Sequence, residues 1–202
     1  MMAIQSQPSV VISMAAFALA ACITPGASNI VALSYGSQFG VARSQRHALG
    51  SALGFTLIMV LTGFGLHEVL ERWPVLTDFI RWAGTAFLLY LAWKLAADNG
   101  QLSSAKPAER PAFWRAATLQ WLNPKGWMVA AAGIGAFAAD GEASTVWMLC
   151  LICSIVCYVS VASWLFAGAY LRRFLTSTRR IRNFNRTMAA VLAGSAVSLL
   201  FL

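Results

Sequence analysis

Long apolar runs dominate this sequence, and they restrict the chain to a helical membrane protein. A helix that crosses the hydrocarbon core of a bilayer needs about 20 predominantly apolar residues. Runs of about this length occupy residues 10–34, 48–70, 79–97, 114–138, 145–170 and, shorter than the rest, 187–202. Because lipid cannot satisfy backbone hydrogen bonds, such runs cross the membrane as helices. We therefore predict an all-α membrane protein with six transmembrane helices.

Composition and charge support this class and exclude others. Hydrophobic residues make up 59% of the 202 residues and charged residues 11%, whereas a soluble domain is about 45–50% apolar and about 25% charged. We expect one transmembrane domain over residues 1–202. The net charge of +8 lies in short loops, which argues against a nucleic-acid partner. No Lys or Arg precedes Arg43, so we interpret the first run as a helix and not a cleaved signal.

The loops differ sharply in basic residues, and this predicts an orientation. Cytoplasmic loops of membrane proteins carry an excess of Lys and Arg. One side of the predicted helices carries Arg43, Arg46, Lys106, Arg110, Arg172, Arg173, Arg179, Arg180, Arg182 and Arg186. The other side carries only Arg72 and Arg81 between the second and third helices. The basic loops are therefore predicted to be cytoplasmic, with both termini outside.

Two helix-breaking motifs interrupt the first and fourth apolar runs. They are Thr24-Pro25-Gly26-Ala27-Ser28-Asn29 and Leu122-Asn123-Pro124-Lys125. A proline frees backbone groups that lipid cannot satisfy, so it persists where other helices or a polar cavity satisfy them. Matching breaks in two halves of a membrane protein indicate the substrate site of a transporter. We predict two inverted three-helix repeats, about 10–97 and about 114–202, with helices 1 and 4 broken at Pro25 and Pro124.

The chemistry of the breaks suits a carboxylate. We expect Ser28 or Asn29 to cap the helix that restarts after the first break, and Asn123 to cap the one that begins at Pro124. Exposed N–H groups at helix starts attract anions, and Lys125 adds a full charge inside the membrane, where a lysine is costly. The alternative is that the prolines are structural kinks and Lys125 extends to the interface. The predicted substrate-binding residues are Thr24, Pro25, Gly26, Ser28, Asn29, Trp121, Asn123, Pro124 and Lys125.

Other polar residues give little sign of catalysis or metal binding. Cys150, Cys153 and Cys157 share one helical face, but no acid or histidine accompanies them, so we interpret them as buried hydrophobic residues. His47 and His67 are placed at loop edges, and no carboxylate pair faces the membrane interior. We therefore predict no enzymatic activity, no cofactor and no metal site. Small residues at four-residue spacing are interpreted as close helix packing, and they are Gly36/Gly40, Gly50/Gly54 and, in helix 6, Ala190/Gly194/Ser198.

Three motifs in order resemble those of the lysine exporter (LysE/RhtB) family of amino-acid exporters. They are Thr24-Pro25-Gly26 with Asn29, residues 82–94 of the third helix, and Gln120-Trp121-Leu122-Asn123-Pro124-Lys125. The resemblance implies export of small amino acids or their derivatives from a bacterial cytoplasm, driven by proton motive force. It is greatest to members that move neutral substrates such as cysteine, O-acetylserine, threonine or homoserine. Many relatives have Pro and then Asp or Asn where this chain has Ala27 and Ser28, which argues against a dibasic substrate.

Together these observations predict a multi-pass exporter in the bacterial cytoplasmic membrane. The substrate carboxylate is expected at Lys125 and the helix starts near Gly26 and Asn123, and its ammonium at Asn29, Ser28 or the carbonyls of residues 22–24. Protons are the expected coupling ion, and Lys125 either binds substrate or titrates. The alternatives are a membrane subunit without transport and an exporter of another small metabolite or cation. The sequence leaves open whether the protein forms a homo-oligomer.

Overall fold

The computed structural model describes residues 8–66, 72–97, 111–138, 141–174 and 177–198. In these ranges the chain is helical and contains no strand, which confirms the predicted all-α class for the part described. The helices are α1 Pro8–Ile23, α2 Ala27–Phe39, α3 Val41–Leu61, α4 Pro74–Ala96, α5 Phe113–Trp121, α6 Pro124–Phe137, α7 Ala143–Leu171 and α8 Thr178–Ser198. A π-helical turn, Thr62–Leu66, continues α3.

Two helices among the described residues are long and apolar enough to cross a membrane. They are α3 with part of its π turn, Val41–Gly65, and α7. Helices α1 and α2 meet the same criterion as a pair, bent by 64° at the break between them. The described residues therefore supply two spans, or three if the bent pair is one span. The predicted total of six is not tested by these ranges.

Several predicted boundaries are wrong, because polar and basic residues continue helices beyond the apolar runs. Helix α3 begins at Val41 and not at residue 48, and α8 begins at Thr178 and not at residue 187. Arg and Lys are good helix formers, so a helix need not end where its apolar run ends. His47 consequently lies inside α3 with 1% of its surface exposed, not at a loop edge. His67 lies outside the described residues.

Helix α7 occupies the centre of the bundle. It packs against α1, α2 and α3, and α3 also packs against α5. The fully buried side chains of this core include Met14, Ile58, Ile134 and Leu149. Helices α4 and α8 form a second packed pair, which adjoins α6 and α2. Both chain breaks thus lie beside α7 and α3, where side chains can satisfy the backbone groups that the breaks free.

Glycines allow α2 and α7 to approach until their backbones touch. A Cβ atom at Gly36 would overlap the carbonyl oxygen of Leu165, and one at Gly168 would overlap the carbonyl oxygen of Leu33. The two contacts are reciprocal, since each glycine of one helix faces the backbone of the other. Such contacts draw helices together by van der Waals attraction. The predicted packing role of Gly36 is confirmed.

The other predicted glycines divide into two groups. A Cβ at Gly50 would overlap the carbonyl oxygen of Phe113, and one at Gly54 would lie 3.0 Å from the Cα atom of Ala117. Both glycines therefore allow α3 to pack closely against α5, and the predicted packing role is confirmed for them. The packing prediction is wrong for Gly40 and Gly194, where a Cβ would meet no atom of the described residues within 4 Å. Gly40 instead adopts φ +76° between α2 and α3, a conformation that glycine adopts without steric cost.

Candidate functional site

A small cavity lies where the two chain breaks meet. It has a volume of about 40 Å³, which is room for roughly three water molecules. The residues that line it come from six helices and both breaks: Ala21, Cys22, Gly26, Ser28, Asn29, Phe55, Gln120, Asn123, Lys125, Gly126, Val129, Cys157 and Val161. Segments distant in sequence therefore converge on one polar site in a mainly apolar bundle.

The first break is stabilised by side chains that bind the carbonyl oxygens at the end of α1. Asn29 Nδ2 donates hydrogen bonds to the carbonyl oxygens of Cys22, at 2.8 Å, and Thr24, at 2.9 Å. Ser160 Oγ of α7 donates a second bond to Cys22, at 2.8 Å. Helix ends leave such carbonyls without intrahelical partners. The predicted role of Asn29 as a cap for α2 is wrong, because its side chain turns back to α1.

Lys125 connects the second break to the first. Its Nζ donates to the carbonyl oxygen of Thr24 at 2.9 Å and to Thr24 Oγ1 at 2.5 Å. Its aliphatic stem passes over Gly26, where a Cβ would lie 3.5 Å from Lys125 Cδ. The ammonium thus sits at the carbonyl end of α1, which carries the negative pole of the helix dipole. The Lys125 ammonium is therefore held at the first break.

The start of α6 is capped as the sequence predicts. Asn123 is the N-cap, its Oδ1 accepts a hydrogen bond from the backbone N–H of Lys125 at 3.2 Å, and Pro124 follows in the first turn. The start of α2 differs, since its N-cap is Gly26, which makes no side-chain capping bond. Ser28 therefore does not cap α2 either. The first backbone bond of α2 runs from Ile30 N to the carbonyl oxygen of Gly26.

The electrostatics of the cavity suit one small anion. The N-termini of α2 and α6 both line it, and each carries the positive pole of a helix dipole. The Lys125 ammonium adds a full positive charge, and no Asp or Glu is among the lining residues. A helix N-terminus also offers N–H groups without intrahelical partners, which bind carboxylate or phosphate oxygens. A carboxylate is thus matched in both charge and hydrogen bonding.

A buried hydrogen-bonded chain supports the cavity from the α3 side. Ser28 Oγ donates to Gln120 Oε1 at 2.6 Å, which ties α2 to α5. The carbonyl oxygen of Ser28 lies 3.0 Å from His47 Nε2, so the imidazole donates its N–H there. The His47 ring also packs edge-on against Tyr35, with 5.2 Å between centroids. These contacts fix the first turn of α2 at the cavity.

The structure places the predicted site residues in three groups. Those that line the cavity are Gly26, Ser28, Asn29, Asn123 and Lys125. Thr24 contacts the site through the Lys125 ammonium. Pro25, Pro124 and Trp121 are not in the lining, and the Trp121 carbonyl oxygen instead accepts a hydrogen bond from Trp127 Nε1 at 2.8 Å.

Several lining residues were not among the site residues that the sequence predicts. Gln120 had a detectable signal, since an uncharged amide beside a break in an apolar run calls for a buried partner. Phe55, Val129, Cys157 and Val161 had none, because ordinary apolar residues become part of a site only when the helices pack. Cys150, Cys153 and Cys157 are buried as expected. Within the described ranges, no cluster of three or more His, Cys, Asp or Glu residues could hold a metal ion.

Comparison with known proteins identifies the family. The family model described as LysE type translocator matches residues 19–202. The chain belongs to this family. As a LysE-type translocator it is a membrane transport protein, and the resemblance noted from the motifs is confirmed. No solved structure matches the chain.

Curated relatives of this translocator carry a common name. A protein of Klebsiella pneumoniae named cysteine/O-acetylserine efflux protein is 27% identical over 194 residues, 94% of this chain and 96% of the relative. Proteins of the same name in Escherichia coli K12 and Salmonella typhimurium are 28% and 26% identical, and each alignment covers 88% of both chains. The match to the relatives therefore extends over most of the chain.

Replacing Asn29 with leucine should destabilise the translocator without a large change of volume. The variant removes both hydrogen bonds to the end of α1, at about 0.5–1.5 kcal/mol each, and should lower Tm by roughly 2–12 °C. Thermal unfolding of the detergent-solubilised protein measures this. Asn183→Leu on an exposed face of α8 is the matched control and should leave Tm nearly unchanged. Equal Tm values for the two variants would contradict the role of Asn29.

Proposed function

We propose that this translocator exports a small amino acid with an uncharged side chain, or a close derivative of one, across the bacterial cytoplasmic membrane. The observation that carries the proposal is the convergence of the Lys125 ammonium and the N-termini of α2 and α6 on one acid-free cavity. A carboxylate is the group that these features bind best. The names of the relatives, which are amino-acid efflux proteins, support the same substrate class.

Substrate binding is proposed to exchange the partners of Lys125. In the structure its ammonium is bound to Thr24. An incoming carboxylate draws Lys125 Nζ away, because a charged acceptor makes the stronger hydrogen bond. The substrate ammonium then takes the vacated place at the Thr24 carbonyl oxygen. The Cys22 carbonyl oxygen is less available, since Asn29 and Ser160 already bind it.

The walls of the cavity favour a short side chain without charge. Phe55, Val129, Val161 and Cys157 form its apolar part. The volume of about 40 Å³ requires the helices to separate before an amino acid enters. No lining carboxylate is available to a second ammonium group, which disfavours a dibasic substrate. We propose that one half of the bundle rocks against the other around this site, as in other transporters with broken helices.

The membrane arrangement completes the proposal. The pairs α1–α2 and α5–α6 are proposed as two broken spans in a single six-span domain of two inverted three-helix repeats. The exposed Arg43 and Arg46 at the start of α3, and the exposed arginines at the start of α8, support a cytoplasmic location for these ends. Both termini then lie outside. We propose proton motive force as the energy source, with Lys125 as the group that links substrate and proton.

Efflux from intact cells tests the function. Cells that overexpress the chain and vector-only cells are loaded with neutral, acidic and dibasic amino acids, and the medium is analysed over time. We expect selective accumulation of a small neutral amino acid, reduced by an uncoupler of the proton gradient. Accumulation of lysine or arginine alone would contradict the proposed substrate class. Equal release from both cell types for every amino acid would favour another metabolite or a membrane subunit without transport.

A further inference from the structure

Two thiols from different helices lie in the wall of the cavity. Cys22 lies in the last turn of α1 and Cys157 in α7, and both line the cavity. Cys22 also packs against the buried core cluster that contains Cys157. Cys22 is partly exposed, whereas Cys157 is 3% exposed. Cys150, which is also on α7, is buried away from the cavity.

We propose that Cys22 and Cys157 form a thiol–disulfide exchange site that low-molecular-weight disulfides oxidise. The pairing of an accessible thiol with a buried one beside it is the arrangement that exchange requires, since one sulfur attacks and its neighbour resolves the product. The proposal rests on the proposed function in one respect, because the substrate cavity is the route by which a small disulfide reaches Cys22.

The exchange proceeds in two balanced steps. The Cys22 thiolate attacks one sulfur of the small disulfide, whose S–S bond breaks as a mixed disulfide forms on Cys22. The departing thiolate takes up the proton that Cys22 released. Cys157 then attacks Cys22 Sγ, forms the Cys22–Cys157 bond and displaces the second small thiol, which takes up the Cys157 proton. One external disulfide is reduced to two thiols while two protein thiols are oxidised to one disulfide.

The bond would fasten α1 to α7 across the cavity. Bonded sulfur atoms are about 2.05 Å apart, closer than two sulfur atoms that are not bonded. The same part of α1 is already held to α7, where Ser160 Oγ donates to the Cys22 carbonyl oxygen at 2.8 Å. Oxidation therefore draws the end of α1 toward α7 at the cavity, which Lys125 also lines. We expect the oxidised protein to be closed to substrate.

Intact-mass analysis of the purified full-length protein, with cystine as the probe, tests the exchange. We expect the wild type to lose two free thiols without a retained adduct, and peptide mapping to link Cys22 with Cys157. Cys157→Ser should retain one half-cystine adduct on Cys22, and Cys22→Ser should resist modification. Cys150→Ser is the matched control and should behave as the wild type does. A stable adduct on the wild type, or a link through Cys150 or Cys153, would overturn the proposal.

A transport measurement tests the consequence of oxidation. Efflux by the cystine-treated wild type should stop in the oxidised fraction and return after reduction with dithiothreitol, whereas Cys157→Ser should not form the link that closes the cavity. Unchanged efflux by fully oxidised wild type would overturn the closure. The mass measurement requires no transport. Failure of the thiol exchange is therefore detected by mass, and failure of the proposed export function is detected by efflux of the untreated wild type. The wild-type measurement does not depend on the folding of any variant.

Discussion

Replacing Lys125 with alanine is expected to lower efflux of the exported amino acid by about ten-fold to a hundred-fold. Hydrogen bonds to charged groups contribute about 1.5–3 kcal/mol, and about 1.4 kcal/mol corresponds to a ten-fold change in affinity. Lys125 is the one basic residue among the described residues that line the cavity, and its ammonium also neutralises the negative end of α1. Initial efflux rates, normalised to the amount of protein in the membrane, measure the effect.

Two further variants make this result specific. Lys94→Ala removes an exposed lysine from the last turn of α4 and should leave the efflux rate unchanged. Lys125→Arg keeps a positive charge but does not deprotonate, so it should lose proton-coupled export if Lys125 is the titrating group. Unimpaired proton-coupled export by Lys125→Arg would exclude that role. Normal export by Lys125→Ala would move the substrate site away from α6.

Replacing Gly168 with alanine is expected to destabilise the protein strongly although it adds only one methyl group. The new Cβ would overlap the carbonyl oxygen of Leu33 and lie 2.8 Å from its carbonyl carbon and 3.0 Å from the backbone nitrogen of Ser37. All three atoms belong to the backbone of α2, so no side chain can rotate to make room. Overpacking of this kind costs about 1–3 kcal/mol or more, which lowers Tm by roughly 2–12 °C. Thermal unfolding in detergent measures it.

The matched control is Gly194→Ala in α8. A Cβ there would meet no atom within 4 Å among the residues that the structure describes, and alanine favours the helix over glycine by about 0.5–1 kcal/mol. Gly194→Ala should therefore leave Tm unchanged or raise it slightly. Replacement of glycine by alanine is thus expected to lower Tm at Gly168 and to leave it unchanged or raise it slightly at Gly194. A similar Tm for both variants would contradict the close approach of α2 and α7.

The sequence predicted the polar half of the site better than its apolar half. Asn123, Pro124 and Lys125 carry their local chemistry in order, so the N-cap of α6 could be predicted before the fold was known. Ser28 and Asn29 line the cavity, but the capping bonds predicted for them are wrong. The sequence predicted that they bind the first turn of their own helix. In the structure Ser28 binds Gln120 and Asn29 binds the end of α1, and both bonds depend on how the helices meet.

Helix boundaries failed for a different reason. Hydropathy marks the residues that lipid surrounds, but it does not mark where backbone hydrogen bonding stops. Val41 and Thr178 begin their helices well before the predicted apolar runs, and His47 became buried in consequence. Packing also separated Gly36 from Gly40, which the sequence treated alike. Gly36 lies against the backbone of Leu165, whereas Gly40 adopts a positive φ between α2 and α3.

The sequence by itself determined the helical membrane class and the family, because apolar length and short motifs can be recognised locally along the chain. Only the tertiary structure decided where the Lys125 ammonium goes, which carbonyl oxygens are already satisfied, and that Cys22 and Cys157 line one cavity. The Lys125–Thr24 and Ser160–Cys22 hydrogen bonds, for example, join residues more than 100 positions apart. Such contacts are set by the close approach of whole helices, which no local pattern specifies.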